Sequence, residues 1–236
     1  MISVILPAWH EEYLNKTIES IVSNFEGDFE VIAVLDGYWQ QIVGHPKVRV
    51  VHLGKNRGMR GAINAGVAVA RGEYILKLDA HCMVEKGFDT FLLSAHEPNW
   101  IQIPRRKRLD ATTWELVIDE RPDIDYMYLD SENRGRKDEK KNADPELKSV
   151  LIDETESFQG SCYFVRKDYF LKLGLLDDVN FGGSGHESQE ITTKCKRDGG
   201  RVMVNKNTWY AHWHKPKGTP TNYVDRDRSR EYMKHL

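Results

Sequence analysis

The chain alternates short apolar runs with amphipathic stretches through its first hundred residues. Residues 2–6 (Ile-Ser-Val-Ile-Leu) form an apolar run stopped by Pro7, which predicts a buried strand. Leu14, Ile18, Ile21, Val22 and Phe25 then recur at helical spacing, and Gly27 closes that helix. Residues 29–35 and 48–53 read as two further strands, ended by Asp36-Gly37 and by Gly54. An alanine-rich helix over 59–70 leads into Arg71-Gly72, and residues 74–78 form a fourth strand that runs straight into Asp79.

Strand and helix alternating across short turns predict a mostly parallel sheet with helices on both faces, an α/β fold. Ligands of such sheets lie beyond the carboxyl ends of the strands. Asp36 and Asp79 both fall at such ends and are expected to face one crevice.

The pattern changes after Pro104. Arg105-Arg106-Lys107-Arg108 is a basic run, and residues 131–146 are almost wholly polar and charged, which reads as a mobile loop. Order resumes near Leu151. A strand over 161–165, a helix over 168–173, a helix over 190–197 and a short strand over 201–204 follow. With no repeat and no linker, the expectation is a single domain over 1–236 carrying a charged insertion around 104–149.

Composition adds constraints. Of 236 residues, 40% are hydrophobic and 30% charged, with a net charge of −2, so no global field draws the chain to nucleic acid or membrane. Three widely spaced cysteines, Cys82, Cys162 and Cys195, argue against a disulfide framework. The chain opens on a strand with no basic leader, and no apolar stretch approaches the roughly 20 residues of a membrane span. The expectation is a cytoplasmic protein without a membrane anchor.

Candidate chemistry begins at Asp79-Ala80-His81. In extended backbone, positions i and i+2 share a side, so a carboxylate oxygen and an imidazole nitrogen can share one ion. That donor set suits a manganese-like ion better than calcium. The same tripeptide is also the pattern of a turn aspartate beside a surface histidine. A second histidine cluster, Tyr210-Ala211-His212-Trp213-His214, offers a third ligand or a pair of structural histidines beside a Trp.

Residues 58–66 (Gly-Met-Arg-Gly-Ala-Ile-Asn-Ala-Gly), followed by Ala70 to Cys82, resemble the core signature of GT-A glycosyltransferases of the family-2 type. Asp-x-His-Cys in place of Asp-x-Asp is similar to the polypeptide N-acetylgalactosaminyltransferases, a retaining branch of that fold. Residues 3–12 resemble the first strand and turn of the fold, which implies that Pro7, Ala8, His10 and Glu11 adjoin the nucleotide. Asp36 stands in the place of the acid that meets uracil or ribose. Gln159-Gly160-Ser161 resembles the small-residue strand under the donor sugar, and residues 181–190 resemble the glycine-rich turn before an acidic helix start. Glu187 and Glu190 match the two glutamates of that turn. The resemblance covers roughly residues 1–100 and 155–215.

The resemblance implies a metal set of Asp79, His81 and His212 holding Mn2+ (or Mg2+), with Asp79 and Ala80 also contacting a nucleotide-sugar donor, a UDP-sugar by family. Glu187 would orient donor-sugar hydroxyls or act as base. Glu190 would share that role or cap its helix. Arg60 would lie near the donor crevice or be a solvated helix residue. Lys215 and Lys217 would close over the phosphates or form a solvated tail. Ser188 stands where inverting enzymes keep an aspartate base, which favours retention.

The acceptor is the open question. Residues 105–108 carry four positive charges, and 134–141 a net +3. With Trp114, Tyr126 and Tyr128 available to stack, these stretches fit DNA carrying a hydroxymethylated base; the alternative is an acceptor loop with a solvated charged surface. A nucleotidyltransferase would share the sheet but needs a glycine-rich loop after the first strand, where this chain has Pro7-Ala8-Trp9-His10. A non-catalytic sugar-nucleotide-binding module is the remaining class.

Overall fold

The computed structural model describes residues 1–216 and 226–233. In chain order the elements are β1 (Ile2–Ala8), α1 (Leu14–Asn24), β2 (Phe29–Asp36), β3 (Val48–Leu53), α2 (Gly58–Val69), β4 (Tyr74–Leu78), β5 (Cys82–Val84) and α3 (Phe88–Ser94). Then come β6 (Trp100–Asp110), β7 (Glu115–Leu116), β8 (Met127–Leu129), β9 (Gly135–Lys137), α4 (Glu139–Ala143), α5 (Pro145–Ser149), β10 (Ile152–Glu154) and β11 (Cys162–Arg166). The last are α6 (Lys167–Lys172), α7 (Glu187–Arg197), β12 (Arg201–His212) and α8 (Arg226–Met233).

The main sheet runs β10-β12-β6-β11-β4-β1-β2-β3. Its β4-β1-β2-β3 end is parallel, as expected. The rest is mixed: β6 and β12 pair parallel, while β11 lies antiparallel between β4 and β6. Because successive side chains of a strand face opposite ways, the apolar runs feed two cores. Ile2, Val4 and Leu6 pack with α1 and α3, whereas Ile5, Ile32 and Val34 pack with α2 and, further along the sheet, α6 and α7. The three cysteines are buried and unpaired. No helix among the described residues is long and apolar enough to cross a membrane.

Four features depart from the sequence expectation. Pro7 does not stop β1: the strand continues to Ala8 against β2, beyond the last β1–β4 register pair at Ile5. The basic run 105–108 is strand, because β12 supplies a parallel partner as far as Arg108. β12 extends to His212 rather than ending at Val204, after a bulge between Asn205 and Trp209.

Residues 131–146, expected as a loop, hold β9, the second strand of a hairpin with β8, then α4 and the start of α5. Local polar bonds impose this order in place of apolar periodicity. Asp130 accepts from the N–H groups of Glu132 and Arg134 at 2.9 and 3.0 Å. Asp138 caps α4, and Asp144 caps α5 with Pro145 opening the helix. The buried Asn142 accepts from the N–H groups of Asp125 and Tyr126 and donates to two carbonyls.

One contact carries the distant glycine-rich turn to the sheet. Gly58 opens α2 at φ +78°, and a Cβ there would lie 2.3 Å from the Gly183 carbonyl oxygen. Only glycine fits both the left-handed backbone and that approach. The Arg60 N–H then donates to the same carbonyl at 3.0 Å.

Candidate active site at the carboxyl ends of the strands

Asp79 follows β4, His81 precedes β5, and His212 ends β12 opposite Cys82 in the β5 pairing. The three side chains converge although 131 or more positions separate His212 from the other two in sequence. His81 Nε2 lies 3.2 Å from His212 Nε2, which is itself 3.2 Å from Asp79 Oδ2. His81 Nε2 and Asp79 Oδ2 are 3.9 Å apart. One ligand atom from each residue falls within 4.8 Å of the others.

The protons of this cluster follow from its neighbours. His81 Nδ1 sits 3.1 Å from Glu11 Oε2. A carboxylate accepts only, so Nδ1 donates to Glu11 and the contact turns Nε2 toward His212 and Asp79. Burial drives the His212 ring toward its neutral form, down to about 3, against the opposing hydrogen bond to Asp79. His212 Nδ1 is buried without a partner. Burial alone would raise the Asp79 carboxyl, but the Lys77 charge and the His212 hydrogen bond hold it well below the usual carboxylate range. A carboxylate oxygen and two imidazole nitrogens thus meet at one point, a donor set that fits a divalent transition metal.

Lys77 is the residue the sequence reading missed. Its side chain is only 2% exposed, and Nζ pairs with Asp79 Oδ1 while donating to the Gly160 carbonyl at 2.6 Å. It balances the aspartate from the oxygen turned away from the histidines. The signal was present: Lys77 is the one charged residue in the Tyr-Ile-Leu-Lys-Leu strand, and lysine is rarely buried unless paired.

The other candidates fall into three groups. Pro7, Ala8 and Asp36 sit at the ends of β1 and β2, and buried Asp36 accepts from the Arg57 N–H at 2.7 Å. His10, at φ +50°, stacks on Tyr38 with ring centroids 3.6 Å apart, forming an exposed platform beside those strand ends. Ala80 is buried between Asp79 and His81. Gly160 abuts the start of α7, where a Cβ on it would lie 4.0 Å from that of Glu187. Glu187 caps back onto the turn, its Oε1 accepting from the Gly185 N–H at 2.7 Å. Ser188 is buried and donates to Gln189.

Three placements correct the expectation. Glu190 does not open on the crevice: it is fully buried, paired with Arg60, 2.6 Å from Lys194 Nζ and 2.8 Å from the Asp177 N–H. Arg60 is likewise fully buried, donating to the Gly185 carbonyl at 2.6 Å and lying 4.2 Å from the Phe181 ring centroid. It is neither solvated nor in the crevice, but ties the glycine-rich turn to α2. Lys215 is no free phosphate lid, since its Nζ lies 2.5 Å from Glu11 Oε1. Lys217 falls outside the described residues.

Much of the positive charge on the insertion is matched. Arg105 binds Asp125 through two nitrogens, Arg108 and Arg121 share Asp119, and Arg134 and Arg136 share Asp130. Residues 105–108 and 134–141 therefore present fewer free cations than their sequence implies, which weakens their fit to a DNA backbone.

Comparison with known proteins accords with this geometry. The profile of Glycosyl transferase family 2 matches residues 3–170. The chain is 28% identical over 198 residues to polypeptide N-acetylgalactosaminyltransferase 5 of Rattus norvegicus, covering 78% of this chain and 20% of that protein. To the protein of the same description from Caenorhabditis elegans it is 26% identical over 181 residues, covering 72% and 27%. The chain thus spans between a fifth and about a quarter of the length of these relatives. Its fold matches that of GalNAc-T7, crystallised with UDP, GalNAc and Mn2+, at a TM-score of 0.80 and 17% identity, over 98% of this chain and 47% of the other. The fold is GT-A.

Proposed function

The chain belongs to glycosyl transferase family 2, and from that premise we propose that it is a metal-dependent glycosyltransferase moving a sugar from a UDP-sugar to a hydroxyl acceptor with retention of configuration. One observation carries the reading: Asp79, His81 and His212 converge at the carboxyl ends of β4 and β12, with Glu11 fixing the His81 proton. The GalNAc-T7 structure, with UDP and Mn2+, supports this choice of donor and ion.

Asp79 Oδ2, His81 Nε2 and His212 Nε2 would hold the metal, and Mn2+ fits the mixed oxygen and nitrogen set. When bound, it supplies Lewis-acid stabilisation of the charge that grows on the departing diphosphate. The remaining work falls to the chain. Lys77 keeps Asp79 ionised and fixed, and Glu11 orients His81. Asp36 and the His10–Tyr38 platform stand where the nucleoside would lie. Glu187 Oε2 is left to accept a donor-sugar hydroxyl while Oε1 holds the turn. The acceptor oxygen forms a bond to the anomeric carbon as the bond from that carbon to the β-phosphate oxygen breaks. Ser188 is no carboxylate base, so the acceptor proton passes to the leaving diphosphate on the same face.

The test is turnover of a panel of UDP-sugars with and without Mn2+, followed by NMR assignment of the product anomer. An α-linked product from an α-linked donor is expected. A β-linked product would exclude retention, and a donor that binds while none of the panel turns over would favour a non-catalytic binding module.

Glu11→Gln gives a narrower expectation. It keeps the size of the side chain but removes the full charge facing His81 Nδ1. Mn2+ affinity should fall about 10- to 100-fold, the usual effect of losing a carboxylate behind a metal-bound histidine. Titration of the metal against protein fluorescence would measure it. Unchanged affinity would remove Glu11 from the site.

A further inference from the structure

The insertion forms one wall of a cleft of about 830 Å³ beside the site, and Gly160, Ser188 and Trp213 line the other. Trp213 connects the cleft to the ligand cluster, its ring centroid 5.9 Å from that of His81. Arg106 lines the same cleft. It is 7% exposed, and its buried Nη1 has no hydrogen-bond partner. Among the described residues no carboxylate pairs with it, although Arg105 and Arg108 on either side are matched by Asp125 and Asp119. Asp110, the acid in the lining that lies nearest along the strand, has one oxygen turned to the N–H groups of Thr112 and Thr113.

A buried guanidinium without an anion is costly, and its fork geometry matches an oxyanion. Lys137, exposed on the same cleft, also has no ion-pair partner among the described residues. Arg108 and Arg136 line the cleft as well, but each is already paired with an aspartate, Asp119 and Asp130. Two unpaired cations, Arg106 and Lys137, on one opening exceed what a single carboxylate needs and suit a doubly charged phosphate ester.

We propose that this cleft receives an acceptor bearing a phosphate ester, with Arg106 taking the phosphate and thereby turning the acceptor hydroxyl toward Gly160 and the Asp79 cluster. The proposal rests on the glycosyl-transfer reading and names the acceptor class. The phosphate is a handle and does not react.

The test titrates glycerol 1-phosphate, glycerol, acetate and a duplex oligonucleotide into the full chain without divalent metal, and UDP with Mn2+ in parallel. Wild type, Arg106→Gln, Arg106→Lys and Lys137→Ala are compared, with thermal unfolding as the check on folding. Glycerol 1-phosphate should bind and glycerol should not. Arg106→Gln should weaken binding at least about tenfold, the scale of one charge-assisted hydrogen bond. Arg106→Lys should recover part of it, Lys137→Ala should weaken it less, and UDP affinity should stay unchanged. Displacement of glycerol 1-phosphate by duplex at equal phosphate concentration would place the phosphate in a nucleic-acid backbone; no displacement would place it on a small acceptor. Acetate binding as tightly as the phosphate ester would overturn the proposal in favour of a carboxylate. A matching loss of UDP affinity in Arg106→Gln would overturn it by assigning Arg106 to the donor. Should wild type bind glycerol 1-phosphate but no UDP, the glycosyltransferase reading fails while the phosphate site stands.

Discussion

His212→Ala is expected to lower turnover of the UDP-sugar donor by at least about 10²-fold, the scale set by removing one preorganised group from a charge-stabilising site. The choice of residue matters. Asp79 is the stronger ligand, but Lys77 is 2% exposed and has Asp79 as its counter-charge. Removing Asp79 would leave a buried ammonium unpaired, at a cost of about 3–5 kcal/mol, and lost activity would then report lost folding. His212 is neutral and its Nδ1 has no partner, so its removal leaves no charge stranded. A second readout separates metal loss from misfolding. At a hundredfold excess of Mn2+ over its dissociation constant, the wild type should gain about 2.7 kcal/mol of apparent stability. In His212→Ala most of that gain should vanish while the metal-free melting temperature stays close to wild type. Turnover that remains fully Mn2+-dependent in this variant would take His212 out of the metal set.

Glu190→Gln should produce the largest loss of stability. Both Glu190 and Arg60 are wholly buried, and the glutamate also meets Lys194 and the Asp177 N–H. Neutralising it strands the Arg60 guanidinium in the interior, at about 3–5 kcal/mol. For a chain of this length that is a fall in melting temperature of roughly 10 °C. Arg60→Met combined with Glu190→Met should be milder than the sum of the single changes, because the uncompensated charge disappears from both sides. Recovery should be incomplete, since the Asp177 N–H loses its acceptor and Lys194 its counter-charge, keeping only the Leu175 carbonyl. Thermal unfolding of the wild type, Glu190→Gln, the two single methionine variants and the double variant measures this. A stable Glu190→Gln with greatly reduced turnover would return Glu190 to the catalytic role that its place in the glycine-rich turn suggested.

These two cases show what was readable from the sequence. The strands β1, β2 and β4 were legible because both faces of that part of the sheet are covered, so their sequences are near-continuous apolar runs. The basic half of β6 was not, because its strand character comes from pairing with β12, a partner about a hundred residues later. The insertion was misread for a related reason. Asp130, Asp138, Asn142 and Asp144 order it through bonds to backbone, and a polar sequence shows the acids without showing what they cap. Charge counting failed likewise: Arg105 meets Asp125 twenty positions away, and a sum over 105–108 excludes that partner. The metal cluster was recognised by family likeness rather than derived, since nothing in the spacing of Asp79 and His81 requires His212. Arg60 and Glu190 were picked as site residues from motif position, and the fold uses them as a clamp that holds the turn.

The bulge in β12 has a consequence for how this molecule can change over evolutionary time. Arg201 to Asn205 keep step with residues 100–104 of β6, and Trp209 to His212 keep step with residues 105–108, the last three also with β5, while three residues between them are left out of the count. The strand therefore behaves as two gears on one shaft with slack between them. Repacking of the core beneath the first half can be absorbed at residues 206–208 before it reaches the imidazole. A residue lost between Trp209 and His212 has no such slack, and by the alternation of side chains it would turn that imidazole to the opposite face of the sheet.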